Sequence, residues 1–514
     1  MMRRPLLFGS KSNGKCWDEK QKRILPVNSH SNPSPQPSPR LAGRGRGLAL
    51  GTANIIFALV FGLFLGLAIL KFGDPVILDQ KVDRPASLSD AWSNAWPPHW
   101  ANWGLLPLAL LGLALVLRKP KNPWPRAAAA RWLWFLPLFW IGWELVSATH
   151  SVDAALTAVA LAQLAGCVAC YFLGTFLLHD RRATGWLLAG VLGAFAICLV
   201  RAVDQRLYEY PATRQFLLEG ERSGWTNFSP AMMMEMKRDM AVITTNGVDI
   251  ANPVMLTKLS KGRVCGTMVY PNALAGVILL LFPVSLVLAF TGTRRFRPST
   301  RRGVIAVTGA LGALALFWSG SKAGWLIALA LTCAWLFRLN WPVRWKWSCL
   351  AFVLIAGLAV FGWRFHNYFA NGATSVGARF DYWRAAVQTT GKYPLLGTGP
   401  GTFQRPYARL KSPAAEMARL THNDYLEQFS DSGLPGGMAY VAWIILAMAA
   451  VGRGAWYHGD HFRFALFLGL LGWFAQGFTE FGLYIPALAW TAFTLLGGLL
   501  AAAGNELDNR PATA

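Results

Sequence analysis

Three short segments hold the residues whose types and spacing could do chemistry. The richest is a polar island, Arg364 to Asp431, set between long apolar runs. It carries Arg379, Tyr382, Trp383 and Arg384 at helical spacing, a glycine-rich turn at Pro394-Leu395-Leu396-Gly397-Thr398-Gly399, and Thr421-His422-Asn423. Histidine is the side chain that ordinarily titrates nearest neutrality, so His422 could take a proton from an attacking hydroxyl; a surface or capping role is the plainer reading. Arg379 and Arg384 could share a helix face, with Trp383 as a stacking plane for a sugar or an arginine. The glycines suit a tight irregular turn more than a phosphate cradle.

The second segment, Arg263 to Asn272, leads into an apolar run, with Gly266 permitting close backbone approach and Pro271 disfavouring regular helix just before it. Arg263 then stands at a membrane edge, as an anion-binding or a snorkelling side chain. The third, Ser319-Gly320-Ser321-Lys322-Ala323-Gly324, is a small-residue turn between two apolar runs. Its Lys322 could pair with a pyrophosphate or anchor at the interface. Cations in this setting suit an anionic lipid-linked ligand, salt bridges to nearby acids being the alternative. Glu144 and Glu480, near span ends, are candidates for orienting His422 or an acceptor; a capping or lipid-edge role is the alternative.

The elements that must position these residues follow from composition. With 54% hydrophobic and only 14% charged residues, and 24 Trp, the chain is written for a bilayer. A span needs roughly 20 apolar residues. Qualifying or nearly qualifying stretches begin near Leu48, Trp103, Trp132, Ala154, Ala183, Val264, Gly303, Lys322, Trp347, Gly433, Phe464 and Pro486, so an all-α polytopic membrane protein of about 12 transmembrane helices is expected. The first ~30 residues lack the apolar core of a secretory signal. Basic loops around Arg118–Arg131, Arg181–Arg182, Arg294–Arg302, Arg338–Lys346 and Arg453–Arg463 fall on alternate sides, which puts both termini in the cytoplasm and the island outside.

The expected order is therefore a disordered basic tail (1–47), helices 1–5 (48–203), an external insert (204–262), helices 6–9 (263–363), a large external loop between helices 9 and 10 (364–432), helices 10–12 (433–503) and a cytoplasmic tail (504–514). The insert, rich in methionine, reads as a membrane-lying segment or a lid. Net charge is +24, but the tail and inside loops account for most of it, which argues against a nucleic-acid partner. Cys167 and Cys170 have redox spacing yet sit mid-helix, where small residues serve packing. His458 and His461 lie in a short loop without further ligands, so no metal site is read there.

The order Arg263-x-x-Gly266-Thr267-x-x-x-Pro271-Asn272, then Ser321-Lys322-Ala323-Gly324, Arg379 with Trp383, Pro394-Leu395-Leu396-Gly397-x-Gly399, His422-Asn423-Asp424-Tyr425-Leu426 and Ser432-Gly433-Leu434-Pro435-Gly436 resembles the O-antigen ligase and polymerase family of bacterial envelope proteins. The resemblance runs strongest from Arg263 to Gly437. It implies a helical glycosyltransferase fold of the C type, an active site on the periplasmic face of the bacterial inner membrane, and no metal or other cofactor. The donor it implies is a glycan on undecaprenyl pyrophosphate; the acceptor is a glycolipid, a growing glycan, or a protein Ser or Thr.

Carried over by position, His422 matches the loop histidine and Arg263 a pyrophosphate-binding arginine, with Arg379 or Arg384 as further phosphate contacts. Lys322 stands where the family usually has arginine, which keeps the charge but loses the bidentate fork. Asn423, Trp383, Glu144 and Glu480 are secondary candidates. Outside this class, a multi-span transporter of a small anion such as bicarbonate is the other reading; it would place polar residues at mid-membrane on broken helices.

Overall fold

A bilayer offers no partners for backbone amides, so apolar runs of this length satisfy themselves as helices. The computed structural model describes residues 40–118, 128–178, 180–413, 415–457 and 460–508. It divides into Met1–Leu48, of which only the opening turns of the first helix are described, and Ala49–Ala514. In chain order, α1 (Arg40–Lys71), α2 (Leu88–Ser93), α3 (Trp100–Leu117), α4 (Ala128–Ala148), α5 (Ala154–Leu177) and α6 (Arg181–Asp204) lead to an insert. The insert comprises α7 (Tyr210–Arg222), α8 (Pro230–Arg238), strands β1 (Val242–Thr245) and β2 (Val248–Ala251), and α9 (Pro253–Lys261). Then come α10 (Pro271–Gly292), α11 (Pro298–Ser319), α12 (Lys322–Arg338), α13 (Val343–Ala370), α14 (Thr374–Lys392), α15 (Gln404–Leu410), α16 (Asp424–Tyr457), α17 (His461–Gln476) and α18 (Pro486–Asp508).

The protein is a multi-pass helical membrane protein, with three departures from the sequence expectation. Among the described residues, nine helical stretches are long and apolar enough to cross a membrane. The other three of the expected twelve fall short in length: Trp132–Ala148 of α4, α12 at 17 residues and α17 at 16. Arg40–Gly47, read as the end of the tail, are already helical; residues 1–39 and 509–514, and the loop residues His458 and Gly459, lie outside the described residues. The insert is not all-α, because β1 and β2 pair antiparallel across Asn246-Gly247. Both turn residues have positive φ, 51° and 78°, the conformation that an Asn-Gly hairpin turn uses. Leu217, Trp225, Met236, Val242 and Ala251 form a core inside the insert, so it folds on itself rather than lying flat as one membrane-surface segment.

Helices close up where side chains are smallest. α5 packs along α18, and a Cβ at Gly174 would strike the Thr494 carbonyl while one at Gly497 would strike that of Tyr171. Cys167 and Cys170 are buried, free thiols on α5.

α16 is two helical segments broken at Gly433, whose φ of 70° and ψ of −169° no helix allows. The glycine-rich turn docks on this break. Leu434 N–H donates to Pro394 O (2.7 Å), Thr398 N–H to Ser430 O (3.2 Å) and Gly399 N–H to Asp431 O (2.9 Å). From α4, Ser147 Oγ donates to Leu396 O and Asp431 O, and Trp143 Nε1 to Ser432 O. The turn is thus a clasp whose Thr398 and Gly399 amides are spent on protein carbonyls, and it fixes the break in α16, whose first segment follows His422.

Candidate functional site

Two loops that are far apart in sequence are stapled together. Asp424 N–H donates to Gly477 O (2.7 Å), Leu483 N–H to Asp424 Oδ1 (3.1 Å), and Asn423 Nδ2 to Phe478 O (3.1 Å). This brings the loop before α16 against the loop between α17 and α18, and so sets His422 beside Glu480 and Phe481. His422 has a φ of 52°, uncommon for a residue with a Cβ. Its ring stacks on Tyr382 (centroids 5.8 Å apart) and meets Phe481 edge-on at 4.7 Å.

Glu480 is the hub. Its Oε1 accepts from Arg379 Nη2 (2.6 Å) and Asn272 Nδ2 (2.7 Å), and its Oε2 from the Tyr270 hydroxyl (3.0 Å). His422 Nδ1 lies 3.4 Å from the same Oε2, ion-pair range but longer than a formed hydrogen bond. Glu480 is buried while His422 remains 29% exposed, so the imidazole joins a buried carboxylate to the outside. Burial pushes the Glu480 carboxyl up, but His422, Arg379 and Tyr270 reverse that and hold it below the ordinary glutamate range.

Arg263 joins the cluster through Asn272: its Nη2 donates to Asn272 Oδ1 (3.0 Å) and its Nε to Ser319 O (2.8 Å). Burial pulls its guanidinium down, against the opposing charge of Glu480. Lys322, at the first position of α12 after the Ser321 cap, sets its ammonium 3.7 Å from the Tyr368 ring centroid and 5.3 Å from that of Phe365. Aromatic faces, not a carboxylate, offset its charge. Arg263, Arg379, Arg364 and Lys261 all lie within electrostatic reach of it.

The remaining candidates lie elsewhere or do other work. Arg384 is exposed on α14, whereas Arg379 pairs inward; five residues on a helix turn the two to different faces, so they do not form a shared clamp. Trp383 is half-buried and packs edge-on against Phe380 at 5.4 Å. Glu144 is buried on α4 beside Asp431, Ser432 and Trp140, away from the groups that touch Glu480. Asn423 caps α16, its Oδ1 accepting from Tyr425 N–H and Leu426 N–H, both at 3.0 Å. Asn423→Ala is therefore expected to cost ~1 kcal/mol of stability. That is checked by thermal unfolding.

Sequence reading placed Tyr382 at helical spacing with Arg379 without giving it a role, and did not single out Tyr270, Asn272 as a side chain, or Tyr368. Asn272 stands in the Pro271-Asn272 motif, which is the signal that could have found it. The tyrosines meet their partners across long sequence separations, Tyr270 with Glu480 among them, and local spacing says nothing of such contacts.

No curated protein matches the chain. Residues 307–441 match the family model described as O-antigen ligase, a segment that includes Lys322, Arg379, Trp383, Arg384, His422 and Asn423 and leaves Arg263, Glu144 and Glu480 outside. Over that segment, which runs through the break in α16, the chain is similar to the family described as O-antigen ligase.

Proposed function

We propose that the protein transfers a glycan from undecaprenyl pyrophosphate to an acceptor hydroxyl at the periplasmic face of the bacterial inner membrane, by a metal-independent displacement with inversion at the anomeric carbon. The observation that carries this reading is the convergence of His422, Arg379, Asn272 and Tyr270 on one buried carboxylate, with Arg263 bonded into the same cluster. The family domain supports glycosyl transfer of the ligase or polymerase type.

With Glu480 facing Nδ1, the other ring nitrogen of His422 is the one to take the proton from the acceptor hydroxyl, and Glu480 steadies the imidazolium that forms. The hydroxyl oxygen bonds to the anomeric carbon as the carbon–oxygen bond to pyrophosphate breaks, and the leaving diphosphate takes that electron pair. Arg263, Lys322 and Arg379 against Glu480 leave three positive charges and one negative, a surplus of two to meet it. Each cation has its own task. Arg379 spends Nε on Thr479 O, Nη1 on Ser375 O and Nη2 on Glu480, so it holds the carboxylate. Arg263 keeps Nη1, and Lys322 its ammonium donors, for phosphate oxygens.

Lys322→Arg is expected to keep transfer near wild type, and Lys322→Ala to raise the KM for the donor by about tenfold, the scale of one charge-assisted contact. Equal donor KM in the alanine variant removes Lys322 from the site. The position of Arg263, His422 and Glu480 in loops at helix ends, rather than at mid-helix breaks, favours transfer over transport of a small anion such as bicarbonate.

The acceptor is one of three: a glycolipid, a second lipid-linked glycan, or a protein Ser or Thr as in an O-oligosaccharyltransferase. The direct test is purified protein in liposomes with undecaprenyl-pyrophosphate-linked glycan and chelator, offered lipid A-core, excess donor and a Ser/Thr peptide in turn. Transfer with inverted anomeric configuration is expected for one of them. Retained configuration, or loss of transfer on chelation, contradicts the mechanism.

A further inference from the structure

A second cluster of cations adjoins the site, within electrostatic reach of Arg263 and Lys322. Arg206, Lys261, Arg364, Phe317, Trp318 and Trp363 line a cavity of about 330 Å³. Among the described residues, no carboxylate pairs with Arg206, Lys261 or Arg364. This contrasts with Arg201, Lys237 and Arg405, which all have acidic partners.

Arg206 and Arg364 are held in place, and Lys261 is exposed at the end of α9. Arg206 stands on the π-helical turn Gln205–Glu209 between α6 and α7, the kind of bulge that re-aims a side chain. Its Nη1 reaches Gly262, the left-handed residue (φ 57°) that ends α9, and a Cβ there would push the guanidinium aside. Arg364, in the last turns of α13, lies 5.2 Å from the Phe317 centroid and 5.5 Å from that of Phe365. Like charges gathered without a carboxylate repel one another, and an anion in the cavity removes that cost while taking charge-assisted hydrogen bonds.

The rim indicates where the anion comes from. Trp363 is 75% exposed on α13, a helix whose outward residues are apolar along most of its length, so the cavity opens beside a surface suited to acyl chains. We propose that this cavity binds the phosphate of a lipid head group as a second anion position, beside the cations that face donor pyrophosphate and built from different side chains. The inference goes beyond the transfer reading and does not depend on it.

The test uses the full-length protein in detergent, analysed by native mass spectrometry with dioleoyl phosphatidylglycerol, dioleoyl phosphatidylcholine or inorganic phosphate added. Wild type is expected to retain phosphatidylglycerol at one per chain, in preference to phosphatidylcholine. The combined variant Arg206→Gln, Lys261→Gln, Arg364→Gln should hold it about tenfold more weakly, as loss of charge-assisted contacts dictates. Arg206→Lys, which keeps the charge, should bind nearly as wild type and so separates lost binding from misfolding; His422→Ala should bind unchanged. Displacement by inorganic phosphate identifies bare phosphate as the group recognised, and resistance to it identifies the whole head group; either supports the site. Equal retention by the glutamine variant, no retention of any probe by wild type, or displacement of the lipid by one equivalent of undecaprenyl pyrophosphate overturns it.

Discussion

His422→Ala is expected to lower glycan transfer by ~10²–10⁴-fold, the contribution of a positioned general base, with membrane insertion unchanged. The histidine lies in a loop at a helix end and is partly exposed, so no span core depends on it. Its ring nonetheless packs between Tyr382 and Phe481, and its backbone sits at positive φ, so alanine alone leaves a structural explanation open. His422→Asn closes it: asparagine accepts that backbone conformation better than most residues and stays polar but offers no base. Transfer measured in reconstituted vesicles should fail in both variants, with unchanged thermal unfolding in the asparagine form. Wild-type rates in either variant remove His422 from the chemistry.

The second large effect is expected at Glu480. Four side chains meet its two oxygens, and Arg379 makes the shortest of these contacts. Glu480→Ala leaves the half-buried Arg379 guanidinium without its counter-charge, a loss of up to about 3 kcal/mol, and is expected to show as poor accumulation in the membrane. Glu480→Gln keeps shape and hydrogen-bonding capacity while removing charge; transfer should fall by about 10²-fold or more, since the imidazolium loses its stabilising carboxylate.

The pH dependence separates this from a packing effect. Because the folded protein holds the Glu480 carboxyl below its unfolded value, its contribution to stability is fully present at neutral pH and is lost as pH falls through the folded value. Glu480→Gln should remove that part of the acid-side decline in unfolding temperature. An unchanged acid profile would mean that Glu480 is not held ionised.

Legibility in the sequence follows contact range. Most of the long helices could be read from apolar runs, since length and hydropathy are local properties, but α1, α10 and α16 begin at Arg40, Pro271 and Asp424 rather than near Leu48, Val264 and Gly433. Arg263, Lys322, Arg379 and His422 could be singled out because each stands in a polar or small-residue stretch against an apolar background. The insert hairpin also had a local signal in Asn246-Gly247, which composition alone passed over.

What could not be read was who meets whom. Glu480 and Glu144 are equivalent in one dimension, each a carboxylate near a span end. Folding puts one beneath His422 and buries the other against α16. Arg384 looked like a partner for Arg379 until helical phase turned it outward. The unpaired cations of the second cavity come from α6–α7, α9 and α13, and no spacing in the chain announces their meeting.

The central claim, transfer from undecaprenyl pyrophosphate dependent on His422, is tested most directly by mass spectrometry of undecaprenyl-linked glycans in a deletion strain carrying either wild type or His422→Ala. Lipid-linked glycan should accumulate in the deletion and in the His422→Ala strain and clear in wild type, with the missing glycoconjugate identifying the acceptor. An identical lipid-linked pool in all three strains would contradict the account.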